Sequence, residues 1–377
     1  MRSTLDELKR ELAELRNFVA SIAHVNEALA NHADPNVRQY ASLRRRFDNA
    51  AFVVALYAVF ETYVEALAAS FAGLEALRLP YAELPAKLAA KHLQRSADLL
   101  ARGRLGEGRH AGLTVAGVVA NLHNCLNGVT PYALNEAAVV WHDSNLRARD
   151  VDDMFLPLGI EGMCMRVRRG DALIRWHMTV QGLETSPADG LSSTVIEERL
   201  NDLVERRNQV AHRGGKPENL LGVDGMKECV DFIDALSEDV FAMVVGYYLG
   251  VRHDTAEAVT KLEQVDGDGP YQDGKVIIVS PPAFDLVVGR PVFVGRPSGA
   301  ARWGRIQSLR LNGTDHETIA AGTPAPEGIG IGLDFACPEG VIPVVLLAED
   351  DLVWPPPGKR GRDNSARRGS ACSPSGD

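Results

Sequence analysis

Apolar side chains recur at alternating spacings of three and four residues along the first segment of the chain. They are Leu5, Leu8, Leu12, Leu15, Val19, Ile22 and Leu29, with the polar Asn26 in the same series. This pattern predicts a long helix with a narrow packing seam. The seam fits either an antiparallel helix of the same chain or a second copy of the chain at a dimer interface.

Helical periodicity resumes after Asp34-Pro35, which breaks the first helix. The next helix is predicted from about residue 37 to about residue 77, and its segment FVVALYAVFETYVEALAASF is apolar nearly all round. A helix without a polar face belongs in the core. Shorter helices are predicted over 84–100, 113–126 and 132–140, followed by mixed helices and loops over 150–190.

One more long helix is predicted over SSTVIEERLNDLVERRNQVAH, with Thr194 and Glu197 as a capping box at its start. Gly214 and Gly215 are helix-stop residues. After a short loop, a last helix is predicted over about 225–249. Residues 1–250 are therefore expected to form one helical domain.

The pattern changes near Val251, where polar and Gly-rich residues predict a linker over 251–273. Short apolar runs then alternate with Gly and Pro: VIIV, PVFVG, RIQSLRL, IGIGLDF and VIPVVLL. Such runs are typical of strands, so residues 274–354 are predicted to form a small all-β barrel or sandwich. The tail, 355–377, is predicted to be disordered. The expected fold class is mainly α, followed by a small barrel-like β domain.

Composition and charge narrow the function classes. The chain has 377 residues, 45% of them hydrophobic, and a formal net charge of −10. This charge argues against a protein coated for bulk nucleic-acid binding. Arginines do cluster around 44–46, 166–169 and 206–213, and each cluster taken alone is most simply a solvated face.

Cysteine usage and the N-terminus indicate a cytoplasmic protein. The five cysteines are widely spaced and none forms a CxxC pair, so neither a disulfide framework nor a zinc site is expected. The charged start MRSTLDELKRELAEL does not resemble a signal peptide. The longest apolar run, around 50–60, is too short to span a bilayer, and no membrane association is expected.

The stretch ERRNQVAHRGG, residues 205–215, places an arginine at an apolar position. At about 100° per residue, Arg207 falls in the stripe formed by Ile196, Leu200, Leu203 and Val210. A charge there is costly unless it is paired or faces a solvated cleft. The neighbouring Arg206 falls outside the stripe and is expected at the surface.

Two polar residues follow the arginine closely. Asn208 and His212 are four residues apart and share one helix face, whereas Arg207 and His212 diverge by about 140° in a regular helix. If the helix frays or tightens near Ala211, His212 can approach Arg207. An alternative is that Arg207 and His212 only complement the helix C-terminus, or that the arginine snorkels or pairs with a buried acid.

On these residues the chain resembles the HEPN-domain ribonucleases, in particular the RiboL-PSP-like group of bacterial defence and toxin proteins. The resemblance rests on RNQVAH, which begins at Arg207, on YAVFETYVEAL in the second helix, and on the all-helical context. It covers about residues 1–250. It implies a helical bundle that dimerises so that two motifs face each other, and that cleaves RNA without a metal or cofactor, leaving a 2′,3′-cyclic phosphate.

The resemblance also assigns roles. His212 would act on the proton of the 2′-hydroxyl or of the leaving group, because its ordinary pKa suits either task. Arg207 would stabilise the charge of the phosphorane, and Asn208 would orient His212 or a phosphate oxygen. The supporting candidates are Glu61, Arg206 and Arg213. Glu61 is a candidate acid to hold Arg207, and equally an ordinary core-edge residue.

Two parts of the chain depart from a minimal HEPN domain. Residues 103–190 are expected to be an insertion that gates the cleft or selects the substrate. The segment with GRPVFVG and GIGIGLDF resembles the β-barrel domain of translation GTPases, but no P-loop precedes it, so GTPase activity is not implied. This barrel is expected to be a binding or regulatory module, or else a structural appendage or dimer contact.

Two functions remain open from the sequence. The first is a metal-independent endoribonuclease that acts as a toxin or anti-phage effector, as a homodimer, and is restrained by an antitoxin or regulatory protein. The second is a non-catalytic HEPN scaffold that binds RNA, nucleotide or a protein. Metal catalysis is a weaker third interpretation, because His142-Asp143 and the acidic residues of 150–153 match no metal motif and fit a solvated acidic loop.

Overall fold

The computed structural model describes residues 1–30, 32–103, 105–212, 219–254, 259–265, 270–295, 300–337 and 343–346. They fall into two compact units. The first contains the helices up to Val251, and the second contains the strands beyond it. The predicted mainly α class with a smaller β part is confirmed. The predicted disordered tail, 355–377, lies outside the described residues.

The first two helices pack against each other. Helix α1 is Arg2–Ala30 and helix α2 is Pro35–Arg78. Asp34 caps α2 by accepting a hydrogen bond from the backbone N–H of Asn36, and Pro35 occupies the first helical turn, where a missing N–H costs nothing. The buried residues of the α1 seam are Leu5, Leu8, Leu12, Val19 and Ile22. The seam is thus filled within the chain, which favours the intramolecular partner.

Helix α2 is the central core helix. Its side chains Phe52, Phe60, Leu67 and Phe71 are fully buried, as its nearly continuous apolar sequence predicts. It is also the one helix among the described residues that is long and apolar enough to cross a membrane by length and composition alone. A buried core helix passes the same test, and the packing of α2 fits that explanation.

The remaining helices are shorter until the last two. They are α3 Ala86–Arg102, α4 Val115–Leu126, α5 Glu136–Val139, α6 Ala148–Phe155, α7 Met163–Val167, α8 Asp171–Gln181, α9 Ser193–His212 and α10 Val223–Asp254. The helix predicted over 132–140 is observed only as the single turn α5. Asn135 precedes its first residue, and the backbone N–H of Asn135 donates to Nε2 of the buried His92 at 2.9 Å.

Helix α10 is tied by side-chain contacts to α1 and to α8. Lys9 of α1 pairs with Glu238 at 2.9 Å. The buried Asp239 accepts hydrogen bonds from the backbone N–H groups of Ala172 (3.3 Å) and Leu173 (2.7 Å), which are unpaired donors in the first turn of α8. A Cβ at Gly170 would lie 2.1 Å from the Asp239 carboxyl carbon, so this cap requires glycine. Part of the predicted insertion, 103–190, is thereby fastened to the bundle.

The second unit is a single antiparallel sheet with a small companion. Its strands are β1 Val259–Lys261, β2 Val276–Val279, β3 Leu286–Val287, β4 Pro291–Gly295, β5 Ala301–Leu311, β6 Thr314–His316, β7 Thr318–Ile319, β8 Ile329–Leu333 and β9 Pro343–Leu346. The main sheet has the order β1-β9-β4-β5-β8-β2, β6 is added to β5, and β3 pairs with β7. Alternate residues of β8 (Ile329, Ile331, Leu333) face a shared apolar core.

The sheet corrects two expectations. Its named strands do not close into a ring, so the predicted barrel is wrong in that respect. The backbone just after β1 does reach the other edge, where Val265 donates to Ile278 at 3.1 Å and Ser280 donates to Glu263 at 2.8 Å. These hydrogen bonds flank one isolated antiparallel bridge, between Gln264 and Val279, which lies beyond the end of β1. The predicted linker, 251–273, also contains the end of α10 and all of β1.

Candidate active site

Arg207 lies on the face of α9 that packs toward the core. Ile196, Leu200, Leu203 and Val204 of this face are buried, and the guanidinium carbon of Arg207 lies 5.5 Å from the centre of the Tyr57 ring of α2. A guanidinium over an aromatic face gains a cation–π interaction that is stronger where water is excluded. Arg207 thus lies on the core-facing stripe of α9, as predicted, and the Tyr57 ring is its partner there.

Arg207 has one polar partner in the part of the chain that the structure describes. Its Nη1 donates to Oδ1 of Asn208 at 3.3 Å, and no described carboxylate lies within ion-pair distance of it. The suggestion that Glu61 holds Arg207 directly is therefore not what is observed. Glu61 instead accepts the hydroxyl of Tyr57 at 2.8 Å, so it acts on the ring beneath the arginine.

The Tyr57 ring is fixed at its hydroxyl. The oxygen donates to Glu61 and accepts the backbone N–H of Leu146 at 3.0 Å. Burial raises the pKa of Tyr57 above its ordinary value, so the phenol stays protonated at neutral pH. The ring is therefore a rigid, neutral platform for the guanidinium.

Leu146 belongs to the loop between α5 and α6, residues His142–Arg147. This loop, here called the bracing loop, forms hydrogen bonds with both α2 and α9. Asn145 donates from Nδ2 to Oδ1 of Asn208 at 3.0 Å. Arg147 donates to Oδ1 of Asn201 at 2.9 Å and forms an ion pair with Glu205. The loop lies in the predicted insertion, so that region supplies part of the site.

His142 at the start of the bracing loop lies between two hydrogen-bond acceptors. Its Nδ1 lies 2.6 Å from the carbonyl oxygen of Ser144, and its Nε2 lies 2.8 Å from Glu65, which also accepts Arg109 at 3.2 Å. Both partners accept hydrogen bonds, an arrangement that favours the doubly protonated ring. The hydrogen bond to Glu65 raises the pKa of His142 against the opposing effect of burial. This histidine is an ion-pair partner, and no spacing in the sequence links it to Glu65.

The other predicted residues stand apart from this network. Arg206 donates to Asp202 at 2.7 Å and to the carbonyl of Asn219 at 2.8 Å, and its side chain is only 20% exposed. It is half-buried, not the free surface residue expected, because the chain leading into α10 covers it. The side chain of His212 and the whole of Arg213 lie outside the described residues.

The backbone of His212 is helical, since α9 runs through it. The fraying near Ala211 that would bring His212 back toward Arg207 is therefore not observed. On a regular helix the two side chains leave α9 about 140° apart. Within the described residues, no group of three or more His, Cys, Asp or Glu side chains is placed to hold a metal ion.

Comparison with known proteins assigns the chain to a family. No curated protein and no solved structure matches the chain. The family described as RiboL-PSP-HEPN matches residues 6–244, a span that includes the bracing loop, Tyr57 and all of α9 and covers more than half of the chain. The chain therefore belongs to the RiboL-PSP-HEPN family.

Proposed function

We propose that this protein is a metal-independent endoribonuclease. The observation that carries the proposal is the environment of Arg207, which is held against Tyr57 with no described carboxylate to neutralise it. An arginine has five N–H donors, and the described residues offer this one a single acceptor, Asn208. The remaining donors suit the oxygens of an RNA phosphate, which a guanidinium recognises by two parallel hydrogen bonds.

The reaction needs a base, an acid and charge stabilisation. The RNA 2′-hydroxyl loses its proton and attacks the adjacent phosphorus, and the 5′-oxygen of the next nucleotide leaves with a proton. The products are a 2′,3′-cyclic phosphate and a free 5′-hydroxyl. We assign a proton transfer to His212, whose ordinary pKa lies near neutral pH. Arg207 stabilises the charge on the phosphorane oxygens, and Asn208 donates to one of them.

The proposal includes a homodimer. Arg207 and His212 diverge on a regular helix, so one copy of α9 does not bring both to one phosphate, whereas two facing copies supply both. Helix α2 has an exposed apolar stripe suited to such pairing: Tyr40, Leu43, Phe47, Ala51 and Val54. The stripe has spacings of three and four residues and runs for about 21 Å along the helix. Its last member, Val54, lies one turn before Tyr57. A second copy of the chain that packs on this stripe would therefore lie next to the candidate active site.

Phe47→Glu is expected to convert the dimer into a monomer, because Phe47 is 58% exposed at the centre of the stripe and a buried unpaired carboxylate opposes association. Light scattering after size-exclusion chromatography measures the mass. Val119→Glu is the control, since Val119 is a similarly exposed apolar residue on α4. A monomeric wild type, or a Phe47→Glu dimer, would contradict the pairing.

The direct test of the function is incubation of the purified full chain with single-stranded RNA in excess EDTA. We expect cleavage to continue without metal, with fragments that end in a 2′,3′-cyclic phosphate. Cleavage that stops in EDTA and returns with Mg²⁺ would exclude the mechanism. RNA binding with no cleavage would favour the second candidate, a non-catalytic scaffold.

The proposed biological role takes into account that such an activity is harmful to the cell. An endoribonuclease that needs no cofactor has to be restrained, so we propose a toxin or anti-phage effector in the cytoplasm that is held inactive by an antitoxin or another regulatory protein. The β unit is our candidate for a binding or regulatory module in that restraint.

A further inference from the structure

The orientation of the Asn208 amide follows from its neighbours. A guanidinium can only donate hydrogen bonds, so the Asn208 atom 3.3 Å from Arg207 is the acceptor Oδ1. The same Oδ1 lies 3.0 Å from Asn145, which therefore presents its Nδ2. With Oδ1 occupied twice, the Nδ2 of Asn208 is on the opposite side of the amide and is the group left for a substrate.

Asn145 is itself held in place from both sides. Before it, His142 donates to Glu65 of α2 at 2.8 Å. After it, the backbone of Leu146 donates to Tyr57 at 3.0 Å, and Arg147 donates to Asn201 of α9 at 2.9 Å. A side chain pinned in this way has little freedom to lose when it orients a neighbour, which is the property a supporting residue of an active site needs.

We propose that Asn145 is a positioning residue of the ribonuclease reaction: it fixes the Asn208 amide so that Nδ2 of Asn208 donates to an oxygen of the RNA phosphate. The inference rests on the proposed function. Asn145 itself does not touch the RNA. Without it, Asn208 keeps only the longer hydrogen bond from Arg207, and its amide can rotate away from the phosphate.

Asn145→Asp is the sharpest variant, because it keeps the shape of the side chain and removes the donor. We expect it to lower kcat for RNA cleavage by about 10-fold, since small misplacements of a reacting group have effects of this size or larger, and to leave KM within about twofold. Asn145→Ala should act in the same direction. The matched control is Asn121→Ala, which removes another side-chain hydrogen bond between two asparagines, from Asn121 to Asn135 at 3.1 Å.

A double-mutant cycle separates positioning from general stabilisation. In the Asn208→Ala background, the Asn145→Asp change should lower kcat by less than about twofold, because the group it positions is gone. Full additivity of the two effects would overturn the proposal. So would an Asn121→Ala variant that loses as much kcat as Asn145→Asp at equal folded fraction.

A structural measurement keeps this inference distinct from the function on which it rests. An inactive wild-type chain would contradict the ribonuclease proposal, and crystal structures of the wild type and of Asn145→Asp would then decide the positioning. We expect the Asn208 amide to turn in the variant while the backbone of α9 stays in place. An Asn208 side chain that is unchanged in the variant overturns the positioning role whether or not the protein cleaves RNA.

Discussion

Arg207→Ala is expected to lower the rate of RNA cleavage by about 10²–10³-fold, the usual effect of removing one fixed donor from a site where negative charge develops. The guanidinium lies over Tyr57 and is offered only one described acceptor, Asn208, so its free donors face the reacting phosphate in the proposed mechanism. Cleavage of a labelled single-stranded RNA under single-turnover conditions measures the effect.

Two variants show whether the loss is specific to the phosphate. Arg207→Lys keeps the charge but not the planar fork, so it should recover only a small part of the rate. Arg199→Ala is the matched control on the same helix, because Arg199 also lies over an aromatic ring, Trp176 at 5.4 Å, but is already paired with Glu228. If Arg199→Ala and Arg207→Ala reduce cleavage equally, the arginine of the motif has only a structural role.

His212→Ala is expected to reduce cleavage by about 10²–10⁴-fold, the range for loss of a general acid or base. The substrate 2′-hydroxyl is a weak nucleophile until its proton is removed, and His212 is the residue to which we assign that proton transfer. RNA affinity should change little, because the imidazole contributes to the proton transfer more than to binding.

The control for His212→Ala tests whether the loss of activity comes from a destabilised helix C-terminus. Histidine in a last helical turn can stabilise a helix by complementing its dipole, and His123 occupies the last turn of α4. His123→Ala should therefore share any such stability loss and keep full cleavage. If His212→Ala remains active at an unchanged dimer mass, the acid–base assignment fails and the scaffold function gains weight.

Much of the helical unit could be predicted from local pattern. The α1 seam and the apolar α2 are both observed close to their expected ends, because a helix with a strong apolar face or core sequence is specified by residues three and four apart. The helix predicted over 132–140 is an exception, since only the single turn α5 is observed there. There the backbone N–H of Asn135 binds His92, a contact between residues distant in sequence that no local pattern indicates.

In the candidate site, too, the sequence indicates the position of a residue but not its distant partners. Helical periodicity places Arg207 in the apolar stripe of α9 and so predicts a charge that needs a partner. The partner proposed for it, Glu61, contacts Tyr57 instead. For His142 the sequence suggests only a weak metal-ligand role. Nothing in the sequence indicates a role for Asn145, because polar residues in a loop carry no periodic signal that distinguishes a functional contact from solvation.

By itself, the sequence determined the long helices, the change to strands near Val251, and the short motif from Arg207 to His212. These are properties of neighbouring residues, and the period of the chain is enough to specify them. Only the tertiary structure decided that Tyr57 lies under Arg207, and that the bracing loop reaches both α2 and α9. The reason is physical: these contacts join residues up to 150 positions apart, as from Tyr57 to Arg207, and depend on how buried polar groups find partners once the bundle has packed.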